Sequence, residues 1–296
     1  MIATIIVAFA AGWAWSSWRS TPGALAALLD KYVIVVALPA VIVSTMARAD
    51  FEPGLVVPVA SAWAVMALCA VLVLVCARVA RWPTQVTGAL LCVAVLGNTS
   101  FMGLGMVEGL LGPDHLVAAI AYDQLGTFLA LSLWVPLVVK RWARLEGDAT
   151  PVWRGLLGFP PFLALLASLV VRATSLPGAA FDVMDLVAPT VAPVALFTVG
   201  LRFRLRLPTA AVRPAVIGLS IKMLVVPVVV AAVVLGSGNT DELMWSTTLL
   251  QSAAPPMVSA GIVAIAGGLD EDVASFMVGA GTLAGFVWVP LVSLLV

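Results

Sequence analysis

The chain has 296 residues, of which 62% are hydrophobic and 10% charged, with a mean hydropathy of +1.14 and a formal net charge of zero. Soluble domains run near 45–50% apolar and about 25% charged. The composition therefore excludes a soluble protein and points to an integral membrane one, and the neutral balance gives no reason to expect nucleic acid. The three cysteines, Cys69, Cys76 and Cys92, lie in apolar segments without metal-ligand spacing. They read as small hydrophobes, so neither a metal nor another cofactor is expected.

A membrane-crossing helix needs about 20 mostly apolar residues. Ten segments qualify: 2–18, 31–47, 54–77, 84–112, 114–139, 156–172, 183–200, 208–235, 241–268 and 272–296. The first, "MIATIIVAFAAGW", has no Lys or Arg before it, so it is expected to stay as a span rather than act as a signal peptide. Trp18, Trp82, Trp142, Trp153 and Trp245 fall at predicted span ends, where interfacial tryptophans belong.

Basic residues set the orientation. With the N-terminus outside, Arg19, Lys31, Arg78, Arg81, Lys140, Arg141, Arg144, Arg154, Arg202, Arg204, Arg206 and Arg213 all fall at cytoplasmic ends. Only Arg48 and Arg172 fall outside, a strong bias under the positive-inside rule. Ten spans return the C-terminus to the outside. The expectation is a multi-pass protein of the inner or plasma membrane with both termini outside. Arg202, Arg204 and Arg206 read as a topology anchor in contact with lipid headgroups, or as a guide for anions.

Five spans (1–139) precede a basic cytoplasmic linker (140–155) and five follow it (156–296). Five is odd, so two similar halves must be inverted in the membrane. Placed at a common register, "GNTSFMGLGMVEGLLGPD" (97–114) and "AAPPMVSAGIVAIAGGLDED" (253–272) align Gly112 with Gly268 and Asp114 with Asp270. "ALPAV" (37–41) loosely matches "VAPVA" (191–195). Inverted repeats are a signature of secondary transporters.

The fourth and ninth spans are too long for straight crossings, and each carries polar, helix-breaking residues near its middle. One has Gly97, Asn98, Thr99 and Ser100 with Gly103 and Gly105; the other has Gln251 and Ser252 with Pro255 and Pro256, then Ser259. Proline lacks a backbone N–H and clashes with the preceding turn. Helices broken at equivalent places in two halves point to a transport site, and the half-helix after each break aims its positive end at the cavity, favouring an anion. The plainer reading is two kinked helices packed on neighbours.

With these residues in view, the chain resembles the auxin efflux carrier family, which includes bacterial permeases for small carboxylates. The resemblance rests on "GNTSFMGLGMVEGLLG", "AYDQLGTFLALSLWVPL" and "LLQSAAPPMVSAGIVAIAGGLDEDVASFMVGAGTLAGFVWVP", with "VALPAVI" and "SIKMLVVPVVV" also fitting. It implies an all-α membrane fold of ten helices in two inverted five-helix repeats, with the fourth and ninth crossing at their breaks near the substrate. That crossed-helix fold is shared with bile-acid/sodium symporters and sodium/proton antiporters. Family members often carry proline where this chain has Gly105.

Ionisable residues inside a membrane are functional candidates by default. Asp123 in the fifth span and Lys222 in the eighth both reach about mid-depth. They are expected to form an ion pair, structural or coupling, or to divide their roles, Lys222 attracting an anion and Asp123 carrying a proton. Glu108 lies nearer the outer end of its span, and His115 reads as a surface residue. Asp270, Glu271 and Asp272 read as an N-terminal cap of the last span.

The reading is therefore a secondary carrier, exporter or facilitator of small organic anions, with Asn98, Thr99, Ser100, Gln251, Ser252, Pro255, Pro256, Ser259 and Lys222 contacting substrate. Its partners are that anion and the bilayer, and a homodimer stays open. The alternative is a sodium- or proton-coupled symporter of the bile-acid type. A membrane-embedded enzyme is disfavoured, because no HExxH or comparable catalytic set is present.

Overall fold

The long apolar runs fold as helices because lipid leaves every backbone N–H and C=O to be satisfied within the chain. The computed structural model describes residues 2–18, 23–49, 53–143, 160–174, 177–202, 209–237 and 242–296. Arg19, Arg144, Trp153, Arg154, Arg204, Arg206 and most of the linker lie outside these residues. Among the described residues the secondary structure is helical, apart from one isolated backbone bridge.

The helices are α1 (Ile2–Trp18), α2 (Gly23–Tyr32), α3 (Leu38–Arg48), α4 (Val56–Ala80), α5 (Thr84–Val93), α6 (Leu104–Leu110), α7 (Leu116–Ala121), α8 (Leu129–Trp142) and α9 (Pro160–Thr174). They continue with α10 (Gly178–Val187), α11 (Val191–Arg202), α12 (Thr209–Ser220), α13 (Val226–Ser237), α14 (Glu242–Ser252), α15 (Val258–Ala266) and α16 (Glu271–Val292). Among the described residues six stretches are long and apolar enough to cross a membrane by themselves: Ala24–Arg48, Pro53–Ala80, Pro113–Trp142, Gly178–Thr198, Val212–Gly236 and Glu271–Leu295. The rods overrun the apolar segments read from sequence. The second begins near Ala24 rather than at 31, since helix geometry continues through Lys31, which is exposed.

Among the described residues four π-helical turns interrupt the rods, at Val33–Ala37, Thr99–Gly103, Tyr122–Phe128 and Ile221–Val225. Two have a local cause. Pro39 and Pro227 lie just past the turns at Val33–Ala37 and Ile221–Val225, and each removes an N–H and crowds the carbonyl four residues back.

The helices pack in two groups. In one, α1 lies along α11, α2 touches α11, and α3 packs on α9 and α10. In the other, α4 meets α14 and the turn at 122–128, α5 meets α8, α15 and α16, and α12 meets α16. The α1–α11 contact is close: a Cβ on Gly12 would overlap the carbonyl oxygen of Phe197, and one on Gly200 would overlap that of Phe9. At one end Arg48 donates to both carboxylate oxygens of Asp185, at 3.1 and 2.8 Å, and stacks 4.3 Å above the Phe181 ring. At the start of α16 the Asp270 carboxylate accepts from the Val273 N–H at 2.8 Å, the expected cap.

Candidate functional site

Both long polar segments are broken. Helix α5 stops at Val93, and regular helix resumes only after the turn Thr99–Gly103; α14 stops at Ser252 and α15 starts at Val258. Pro255 cannot donate to the Gln251 carbonyl, and its ring blocks the helical path there. The two breaks meet. Gly97 and Pro256 form an antiparallel bridge, the Asn98 N–H donates to the Pro255 carbonyl at 2.7 Å, and the Met257 N–H donates to the Leu96 carbonyl at 2.9 Å.

Each break frees backbone groups at depth, and buried groups of this kind need partners. Side chains from other helices supply them. Trp134 Nε1 donates to the Leu91 carbonyl at 2.8 Å, and Cys69 Sγ to the Ala94 carbonyl at 3.3 Å. Lys222 Nζ donates to the Ser252 carbonyl at 3.0 Å. Gln251 Nε2 reaches the Thr99 and Ala119 carbonyls at 3.4 and 3.2 Å. Cys69 is thus more than the small hydrophobe expected.

Asp123 sits on the π turn of the fifth span. Its carboxylate accepts from Thr99 Oγ1, from Ser100 Oγ at 2.7 Å to each oxygen, and from Gln124 Nε2 at 2.7 Å. Lys222 sits on the π turn of the eighth span, its ammonium against Gly97. The two charges do not pair, contrary to the expected ion pair. The common depth expected of them does not make them neighbours: Asp123 faces the turn after the fourth-span break, whereas Lys222 faces the end of α14.

Asn98, Thr99, Asp123, Gln124, Lys222, Gln251 and Ser252 are each 1% exposed or less. Three of their polar atoms lack a protein partner: Asn98 Nδ2, Gln124 Oε1 and Gln251 Oε1. The crossing thus holds two kinds of unused capacity. One is donor capacity at Asn98 and Lys222, which uses one of its three ammonium donors; the other is acceptor capacity at Gln124 and Gln251. The space bounded by Met102, Gly103, Leu250 and Pro255 does not admit water.

Two predicted residues lie apart from this cluster. Gly105 is buried inside the regular helix α6 and is not part of the break, where the chain leaves the helix over 94–98 and Gly97 forms the bridge. Ser259 is the second residue of α15, half-buried, with no hydrogen bond to the cluster. His115 is not a free surface residue: half-buried, its Nδ1 pairs with Thr247 Oγ1 at 2.8 Å and ties the start of the fifth span to α14. Toward that end lies an open cavity of about 650 Å³ lined by Ser44, Thr45, Arg48, Glu108, Asp114 and Asp185, reaching Ala118 beside the Ala119 carbonyl that holds Gln251.

Gln124, Cys69 and Trp134 escaped the sequence reading. Gln124 was detectable in principle as a second polar residue beside Asp123; the carbonyl partners of Cys69 and Trp134 carry no sequence signal.

Comparison with known proteins agrees with a membrane carrier. A family model described as "Membrane transport protein" matches residues 1–151 and 148–293. An uncharacterized transporter of Methanothermobacter thermautotrophicus is 26% identical over 271 residues, covering 90% of this chain and 87% of that protein. An uncharacterized transporter of Methanocaldococcus jannaschii is 22% identical over 186 residues, covering 60% and 59%. The match to both halves of the chain, on a helical membrane scaffold broken twice at one crossing, makes this protein a member of the membrane transport protein family of auxin efflux carriers.

Proposed function

We propose that the chain is a secondary carrier of small organic anions such as carboxylates, binding them where the two breaks cross. The observation that carries this reading is Lys222. It is buried with a single carbonyl acceptor and, among the described residues, without an acidic partner, beside the break that also holds the unsatisfied Asn98 amide. A buried charge is costly unless paired, and an anion received there meets both donors. The half-helices that restart after each break add positive dipole ends.

The same reading has ten spans in two inverted five-helix repeats, both termini outside, and access alternating between the two sides of the crossing. Reciprocal features support it. The first span packs on the seventh as the second packs on the sixth. Gly112 and Gly268, aligned by sequence, both have positive φ, at 107° and 76°.

A second reading, cation coupling, is favoured by Asp123. Its carboxylate is held by three neutral side chains and by no cation among the described residues, so it is available to take a proton or, with the spare oxygens of Gln124 and Gln251, sodium.

The test is a thermal-shift screen of mono- and dicarboxylates on purified protein, followed by flux in liposomes. A stabilising anion that crosses the bilayer unmodified supports the proposal. Conversion of that anion to a product, or binding unaltered by Lys222→Met, overturns it.

A further inference from the structure

At the end of the molecule opposite Asp114, a groove of about 560 Å³ runs along α4 and the start of α5. Its walls are Val71, Leu74 and Val75, all exposed on one face of α4. Its rim is Arg78, Arg141, Trp82 and Trp142, with Thr84 and Thr87 from the first turn of α5. No acidic residue lines it. Among the described residues neither arginine forms a salt bridge or a side-chain hydrogen bond; Arg141 only stacks on its neighbour Trp142, 5.3 Å from the ring centroid. Helix α5 begins here after Pro83 without a side-chain cap, so its first N–H groups add donors.

We propose that this groove is a binding site for one anionic phospholipid, distinct from the crossing. Two unpaired guanidiniums and an uncapped helix start fit a phosphodiester, since planar guanidinium donors match phosphate oxygens. The apolar wall continues one to two helical turns from Arg78, along the path an acyl chain takes when its headgroup lies at the rim. Tryptophans on either side sit where aromatic rings prefer the interface. A free phosphate would account for the rim and leave the wall without an occupant. A basic pocket between spanning helices is the usual form of a headgroup site.

Native mass spectrometry of the full chain in detergent, with equimolar phosphatidylglycerol and phosphatidylcholine, tests the assignment. Each arginine near an anionic surface contributes a factor of about five, so a roughly thirtyfold preference for phosphatidylglycerol is expected. Arg78→Gln with Arg141→Gln should abolish the preference. Leu74→Trp, which fills the wall and keeps the charges, should lower the bound phosphatidylglycerol at least severalfold. Both changes are on exposed side chains, and an unshifted melting temperature confirms folding. Preference that survives the arginine double substitution overturns the site. Preference unaffected by Leu74→Trp reduces it to surface charge and equally overturns a lipid seat. Displacement of phosphatidylglycerol by equimolar inorganic phosphate or glycerol phosphate would make the occupant a soluble anion instead.

Discussion

Asn98 and Pro255 hold the two broken helices together: the Asn98 N–H bonds the Pro255 carbonyl at 2.7 Å, so each break satisfies the backbone the other exposes. The arrangement needs prolines on one strand of the bridge and a flexible polar run on the other. Replacing Pro255 and Pro256 together with alanine restores two N–H groups and lets α14 extend toward α15. The rings also pack on α16, Pro256 beneath Gly281 and Pro255 beside Gly285, so their loss leaves a gap. We expect a folded protein, less stable by about 1–3 kcal/mol, with little flux in liposomes. Normal flux would show that the bridge, not the prolines, keeps the break.

Gly103→Ala should be more damaging than its size suggests. A Cβ there would overlap Gln251 Oε1, forcing the amide off the Thr99 and Ala119 carbonyls. Overpacking of this kind costs about 1–3 kcal/mol, and a measured drop in melting temperature with loss of flux is expected. Gly178→Ala, with open space around it, is the control and should change neither.

Lys222→Met tests the anion proposal without emptying the core. Removing an unpaired buried charge is favourable, but the Ser252 carbonyl loses its donor, a loss of about 1–3 kcal/mol, so the protein should stay folded with a melting temperature unchanged or modestly lower. Affinity for the anion found in the screen should fall by roughly tenfold to a hundredfold, the worth of a hydrogen bond to a charged group. Asn98→Ala should weaken the same anion to a smaller degree. Unchanged affinity in both folded variants would move the site away from the crossing.

Asp123→Asn addresses coupling. Thr99 and Ser100 can still donate to the remaining oxygen, and Gln124 can turn its unsatisfied Oε1 to the new amide, so folding should survive. Flux in liposomes clamped at set voltages and pH gradients is the measurement. If Asp123 carries the proton, pH-driven flux disappears and voltage-driven exchange remains. Flux equally driven by pH in both proteins would remove Asp123 from coupling.

How much of this was legible in the sequence depends on how local its cause is. Pro255 and Pro256 announce the ninth-span break because proline acts within one turn. The polar run Gly97 to Ser100 marks the fourth-span break in the sequence, but the chain already leaves the helix at Ala94, since Ala94, Val95 and Leu96 tolerate a helix and carry no signal of the bridge to Pro256 that follows them. The π turn at Tyr122–Phe128 has no proline to betray it. For Asp123 and Lys222 the sequence offers only a common depth, which leaves pairing and divided roles both open, because depth along the membrane normal says nothing of which neighbour a side chain faces. Trp134 and Cys69 satisfy carbonyls through contacts that no spacing encodes.

The glycine contacts between α1 and α11 bear on how the chain is made. Gly12 seats against Phe197 and Gly200 against Phe9, so α1 meets its partner α11 only after about 185 further residues have been made. At roughly 5–20 residues per second, the first span waits on the order of ten to forty seconds for it. During that interval its small-residue face is open to lipid or to another helix. A chaperone or insertase guarding that face would act before α11 emerges, and cleaving the chain in the 140–155 linker would leave two fragments that must find each other before either helix group, each built from both fragments, can close.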